Sequence, residues 1–86
     1  MTIEEQVKKA ILETCGMGDT EVSELDDNLS ISLFGMNEMQ LMQLTERFNE
    51  IVYANNSKAS ISIRDVEKCK TVKDCISLVT GKIKIA

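Results

Sequence analysis

The chain has 86 residues, 43% of them apolar, a formal net charge of -4 and no histidine. That length carries one domain with one modest core, and 3% aromatics with no Trp leaves Leu, Ile, Val and Met to build it. The missing histidine excludes Ser-His-Asp and Cys-His catalysis and any His-containing zinc site within the chain, and basic residues scattered outside Lys8-Lys9 and the Lys68, Lys70, Lys73 group argue against a nucleic-acid partner.

The first predicted helix runs from Ile3 to Cys15. Ile3, Val7, Ala10, Ile11 and Thr14 recur at helical spacing, and Thr2 with Glu5 makes a capping box. Gly16 and Gly18 stop it. A long loop follows from Gly16 to Met36. A loop of that length is costly unless it packs on the core, and Val22, Leu25, Leu29, Leu33 and Phe34 are its candidate anchors. Within it, Asp26, Asn28, Ser30 and Ser32 alternate like the start of a calcium loop. The sixth position is Ile31 where glycine is required, and the twelfth is Asn37 where a bidentate glutamate belongs. Local turns at Asp26 and Asp27 are therefore expected, and no metal site.

The second helix is predicted over Asn37–Tyr53, with Asn37 as N-cap and Gln40 completing its box. Leu41, Leu44, Thr45, Phe48 and Val52 make its core face. Met39 and Met42 lie off that face, so they are expected in a contact patch together with Met36 at the helix entrance. Asn55-Asn56-Ser57 opens a polar loop. Ile61 to Cys69 reads as a short third helix with Ser62 and Asp65 in capping-box spacing. The last helix spans Thr71 to Thr80. Thr71 and Asp74 box its start, Val72, Cys75, Ile76 and Val79 supply its stripe, and Gly81 ends it. Residues 82–86 are expected as a flexible tail to a domain over 1–81.

The cysteines are Cys15, Cys69 and Cys75. An odd number without CxxC suggests neither a disulfide framework nor a metal knuckle. Cys69 and Cys75 fall at apolar-pattern positions, where buried structural thiols are the default; the alternative is a reactive thiol beside Lys68, Lys70 and Lys73. Neither a signal peptide nor a membrane-length apolar run is visible, so a cytoplasmic protein is expected.

Three stretches together resemble the acyl carrier protein family. They are Thr2-Ile3-Glu4-Glu5-Gln6-Val7-Lys8-Lys9; Asp27-Asn28-Leu29 through Leu33-Phe34-Gly35-Met36-Asn37-Glu38-Met39 and on to Phe48; and Val66-Glu67-Lys68-Cys69-Lys70-Thr71-Val72-Lys73-Asp74 with Cys75-Ile76. Their order and spacing cover nearly the whole chain. The segment between Phe48 and Thr71 is longer than usual, so the second helix extends or the next loop bulges. The resemblance implies an all-α, four-helix bundle with a long loop between helices 1 and 2 and a short third helix.

In that family the second helix opens with Gly-x-Asp-Ser-Leu, and the serine carries 4'-phosphopantetheine. Here the stretch reads Gly35-Met36-Asn37-Glu38-Met39. Asn37 takes the aspartate position and Glu38 the serine position, and glutamate has no hydroxyl to form the phosphodiester. Ser30 and Ser32 precede the glycine, in the wrong part of the loop. The family's docking acids are also thinned, with Asn37, Gln40 and Gln43 uncharged and Arg47 positive. The resemblance thus implies a non-catalytic, monomeric docking module with no cofactor. It would meet proteins of a lipid, polyketide or peptide biosynthetic pathway through Met36, Glu38, Met39, Met42, Glu46 and Arg47. Glu38 would imitate the charge of a modified serine, or serve only as a favourable first-turn residue. The alternatives are an acyl carrier with an unusual attachment residue or direct ligand binding, and a small cysteine-dependent redox protein.

Overall fold

The computed structural model describes residues 2–55 and 58–85. It is all-α, with α1 over Ile3–Thr14, α2 over Glu38–Ala54, α3 over Ile63–Glu67 and α4 over Val72–Ile85. The four-helix bundle implied by the resemblance is the architecture observed. Helix α1 packs on both α2 and α4, and the short α3 bridges α2 and α4. Two short 3-10 turns, Val22–Glu24 and Ile31–Phe34, lie in the long α1–α2 connection.

Each helix starts where a local four-residue signal lets side chains satisfy the amides that a helix leaves unpaired. Thr2 Oγ1 accepts from the Glu5 N–H at 3.1 Å and Glu5 Oε1 accepts from the Thr2 N–H at 3.1 Å. Asn37 and Gln40 do the same for α2 at 2.8 and 2.9 Å. Ser62 and Asp65 open α3 at 3.2 and 3.0 Å. At α4, Thr71 Oγ1 accepts from the Asp74 N–H at 3.2 Å, and the Asp74 carboxylate takes the N–H groups of both Thr71 and Lys70.

The core is aliphatic, as the composition requires. Val7 and Ile11 of α1, Leu44, Phe48 and Val52 of α2, Val66 of α3, and Val72, Cys75 and Val79 of α4 are at most 1% exposed. Each such aliphatic or aromatic side chain contributes about 1.5–3 kcal/mol on burial. The face of α2 is turned slightly from the predicted one. Ile51 joins it, while Leu41 and Thr45 are only half-buried, and the Thr45 hydroxyl donates to the Leu41 carbonyl at 2.8 Å.

The long connection is held by packing and by backbone pairing. Leu25 and Ile31 are buried, and Val22, Leu29 and Phe34 pack against the core. Leu33, expected as a fifth anchor, is instead 72% exposed. The Asp27, Leu29 and Ile31 backbones pair with residues 70–73 through Lys73 N–H to Asp27, Val72 N–H to Leu29 and Ile31 N–H to the Lys70 carbonyl. The expected turn at Asp26 is present, with its carboxylate accepting from the Asn28 N–H at 2.8 Å. Lys8, with a side chain only 12% exposed, bridges Asp27 at 2.7 Å and Glu4 at 3.4 Å.

Several helix ends differ from those read in the sequence, and α1 stops at Thr14, one residue before the predicted Cys15. Helix α3 begins at Ile63 and ends at Glu67, shorter than the predicted Ile61–Cys69. Helix α2 extends one residue past Tyr53, to Ala54; Asn56 and Ser57 of the polar loop lie outside the described residues. Helix α4 does not end at Gly81 but runs on to Ile85. Ile83 packs against the core four residues after buried Val79, and Lys82 and Lys84 suit the negative end of the helix dipole. That continuation outweighs the roughly 1 kcal/mol that an interior glycine costs. Residues 82–85, expected as tail, are thus helical, and Ala86 lies outside the described residues.

Candidate functional site

The start of α2 is built by a sharp reversal. Gly35 takes a left-handed conformation, with φ 58° and ψ 34°, and closes the second 3-10 turn. A side chain there would be strained, so glycine lets the chain turn directly into the Asn37 cap. Asn37 is extended, with φ -82° and ψ 176°, and its side chain caps the Gln40 N–H. The Gln40 amide also donates to the Thr14 carbonyl at 3.4 Å, which ties this end of α2 to the end of α1.

The six residues singled out in the sequence divide into three groups. Glu38, Met39, Met42 and Glu46 are exposed. Glu38, Met42 and Glu46 stand at four-residue steps, so they form one ridge of the helix with Met39 beside it. Met39 is 68% exposed and Met42 54%, as their position off the core stripe predicts, and Leu33 joins them among the exposed large apolar side chains. Met36 is half-buried against the core. Arg47 turns toward α1, where its guanidinium pairs with Glu13 at 3.6 Å, so its charge is already engaged within the fold.

Met36 also forms part of a cleft of about 600 Å³. The cleft lies between the second 3-10 turn, the first turns of α2 and the α3–α4 connection. Ile31, Leu41 and Val66 supply apolar wall, and Ser30, Ser32, Glu67 and Lys70 supply polar groups. The Ser30 and Ser32 hydroxyls share a hydrogen bond at 2.7 Å. Sequence reading missed this cleft because its walls come from three stretches joined only by the fold. A smaller groove of about 330 Å³ runs between α1 and α2, with Lys9, Glu13, Arg47 and Glu50 along it.

The three cysteines are free. Cys15 is half-buried, and burial pushes its thiol up. Cys75 is fully buried and Cys69 half-buried in the cleft wall. The neighbouring Cys75 thiol holds Cys69 below the ordinary thiol range, against the opposing pull of burial, Asp74 and Asp65. The neighbouring lysines are not its cause. The Cys69 thiol beside it, together with burial, pushes Cys75 well up.

Among the described residues, no group of three or more His, Cys, Asp or Glu side chains is placed to hold a metal ion. No helix among them is long and apolar enough to cross a membrane. Compared with known proteins, the chain matches no family model and no curated sequence.

Proposed function

We propose that this chain is an acyl-carrier-protein-like, non-catalytic docking module, acting as a cytoplasmic monomer on biosynthetic enzymes of an acyl-carrier-dependent pathway. The observation that supports it most is the chemistry at the start of α2. A capped helix N-terminus after a left-handed glycine is a place where a phosphodiester is stabilised by the positive end of the dipole. The residue that follows the cap is Glu38, which offers a carboxylate and no hydroxyl. The site therefore presents fixed negative charge beside exposed Met39 and Met42, and carries no phosphopantetheine. Methionine side chains adapt to varied apolar partners, and Glu38 and Glu46 at the ends of the ridge favour a partner with basic residues.

A second reading is supported by the cleft beside Met36 and by the paired Ser30 and Ser32 hydroxyls at its rim. In that reading the chain is an acyl carrier that uses an unusual attachment residue or binds its ligand directly.

Intact mass spectrometry separates the two after incubation with coenzyme A and a broad-specificity phosphopantetheinyl transferase. The docking reading expects no adduct on the parent and an adduct at position 38 in the double substitution Asn37→Asp, Glu38→Ser. An adduct on Ser30 or Ser32 of the parent would favour the second reading. Docking itself is tested by titrating a carrier-dependent ketosynthase into isotope-labelled protein and following amide shifts. Perturbations are expected at residues 38–46 and lost in Met39→Asp, Met42→Asp; perturbations centred on the other end of α2 would overturn the proposed face.

A further inference from the structure

The exposed face of α2 carries two thioethers side by side. Met39 and Met42 are three residues apart, so they are neighbours on the helix surface, and each is more than half exposed. Neither is among the side chains packed against the core, whereas Met36 is, half-buried in the cleft wall. Met17, in the turn after α1, is the intermediate case at 37% exposed. Leucine at positions 39 and 42 would offer a partner similar apolar area. What methionine adds is a sulfur that a two-electron oxidant can attack, and both sulfurs stand where such a reagent arrives from solvent.

We propose that Met39 and Met42 form an oxidation site, at which an oxidant of the hydrogen peroxide class converts both thioethers to sulfoxides and so switches docking off. The inference rests on the docking reading of α2. In each event a lone pair of the thioether sulfur attacks one oxygen of hydrogen peroxide. The S–O bond forms as the O–O bond breaks. The proton of the transferred hydroxyl passes through solvent to the departing hydroxide, which leaves as water. Each sulfur gives up two electrons, and each peroxide puts one oxygen on sulfur and the other into water.

The position of the two residues separates the effect on docking from any effect on the fold. A sulfoxide turns an apolar side chain into a polar one that accepts hydrogen bonds and donates none. On the free chain the new oxygen is hydrated, because both side chains already face water. The helix keeps its Asn37–Gln40 cap and its buried Leu44, Phe48 and Val52. Against an apolar partner the oxygen must shed that water, and where it finds no donor it costs binding. Exposure on the surface also leaves the sulfoxides open to methionine sulfoxide reductases, which makes the switch reversible.

The test treats the folded full chain with hydrogen peroxide, removes the excess with catalase, and locates sulfoxides over time by digestion and mass spectrometry. Met39 and Met42 should oxidise ahead of Met36, with helical circular dichroism unchanged, and the order should vanish in concentrated urea. Titration with the ketosynthase should then give an affinity weaker by about tenfold for each sulfoxide left without a donor. Reductases for both sulfoxide epimers should restore it. The double substitution Met39→Leu, Met42→Leu retains Met17, Met36 and all three cysteines. Its own affinities before and after peroxide should be equal; a loss there would assign the effect to another sulfur and overturn the proposal. Met36 oxidising as fast as the pair, or equal docking of the oxidised and reduced parent, would also overturn it. A reduced parent that does not dock would overturn the docking reading, and the switch with it, whereas docking that survives both sulfoxides sinks the switch alone. The parent's loss of affinity should follow the Met39 and Met42 sulfoxides through the time course, so the parent decides the matter even if the variant fails to fold.

Discussion

Asn49 shows how much one side chain can decide. Its Oδ1 accepts from the Ile61 N–H at 2.7 Å and its Nδ2 donates to the Ile61 carbonyl at 3.0 Å. The Ile61 side chain is 3% exposed, so its backbone groups are drawn away from water and need partners. By supplying both, Asn49 anchors the connection that leads into the Ser62 cap of α3. In the sequence, Asn49 is an ordinary polar residue twelve positions before its partner, and nothing local marks it. Replacing it removes two hydrogen bonds and leaves two buried backbone groups unpaired. Asn49→Ala should therefore lower stability by about 2 kcal/mol, read as a shifted urea midpoint with little change in slope. Asn49→Asp keeps an acceptor for the N–H but sets a carboxylate against the Ile61 carbonyl, so it should also destabilise. A midpoint unchanged in both variants would mean that the clamp contributes nothing.

At the scale of elements, two glycines that look alike in the sequence do opposite work. Gly35 has φ +58° and its conformation turns the chain into α2, whereas Gly81 sits inside α4 and an added Cβ there would meet nothing within 4 Å. Gly81→Ala should stabilise the protein by about 0.5–1 kcal/mol, because alanine loses less backbone entropy on entering a helix. Gly35→Ala should cost about 1–2 kcal/mol, because the left-handed conformation crowds its Cβ. Thermal melts of the two variants should move in opposite directions, and movement in the same direction would contradict the assigned conformations. This contrast also marks what the sequence could reveal. The four caps were legible, from Thr2 and Glu5 to Thr71 and Asp74, because each is a signal contained within four residues. The exposure of Met39 and Met42 was legible from helical period alone. The run of α4 through Gly81, the exposure of Leu33 and the pairing of Arg47 with Glu13 were not. Each depends on what another element places opposite, and helix propensity carries no record of that.

At the scale of the whole molecule, the caps divide by chemistry. Helices α1, α3 and α4 open on the carboxylates of Glu5, Asp65 and Asp74, whereas α2 opens on the Asn37 and Gln40 amides. The three carboxylates accept backbone or hydroxyl hydrogen bonds from Thr2, Ser62, Lys70 and Thr71, and those bonds hold all three below their ordinary values of 4.5 for Glu5 and 3.8 for Asp65 and Asp74. The unfolded chain therefore binds protons before the folded chain does as acid is added. The stability that these groups contribute is complete above their ordinary values and is lost as pH falls through the depressed folded ones. The urea midpoint should thus decline on acidification from about pH 5 downward, and Asp74→Asn should make the decline shallower. The molecule should also loosen unevenly. Amide proton shifts of Ser62, Lys70 and Thr71 should titrate with midpoints below 3.8 as their shared acceptors protonate. The hydrogen bond from the Asn37 N–H to Gln40 Oε1, at 2.9 Å, has no proton to gain and should persist. The start of α2 is then the one helix entrance whose cap is insensitive to acid, among the four described. Its capped geometry should outlast the weakening at the other three. Midpoints at or above 3.8 for the Ser62 and Thr71 amides would reverse the sign of the argument, and loss of the Asn37 bond in step with the others would remove the distinction between amide and carboxylate caps.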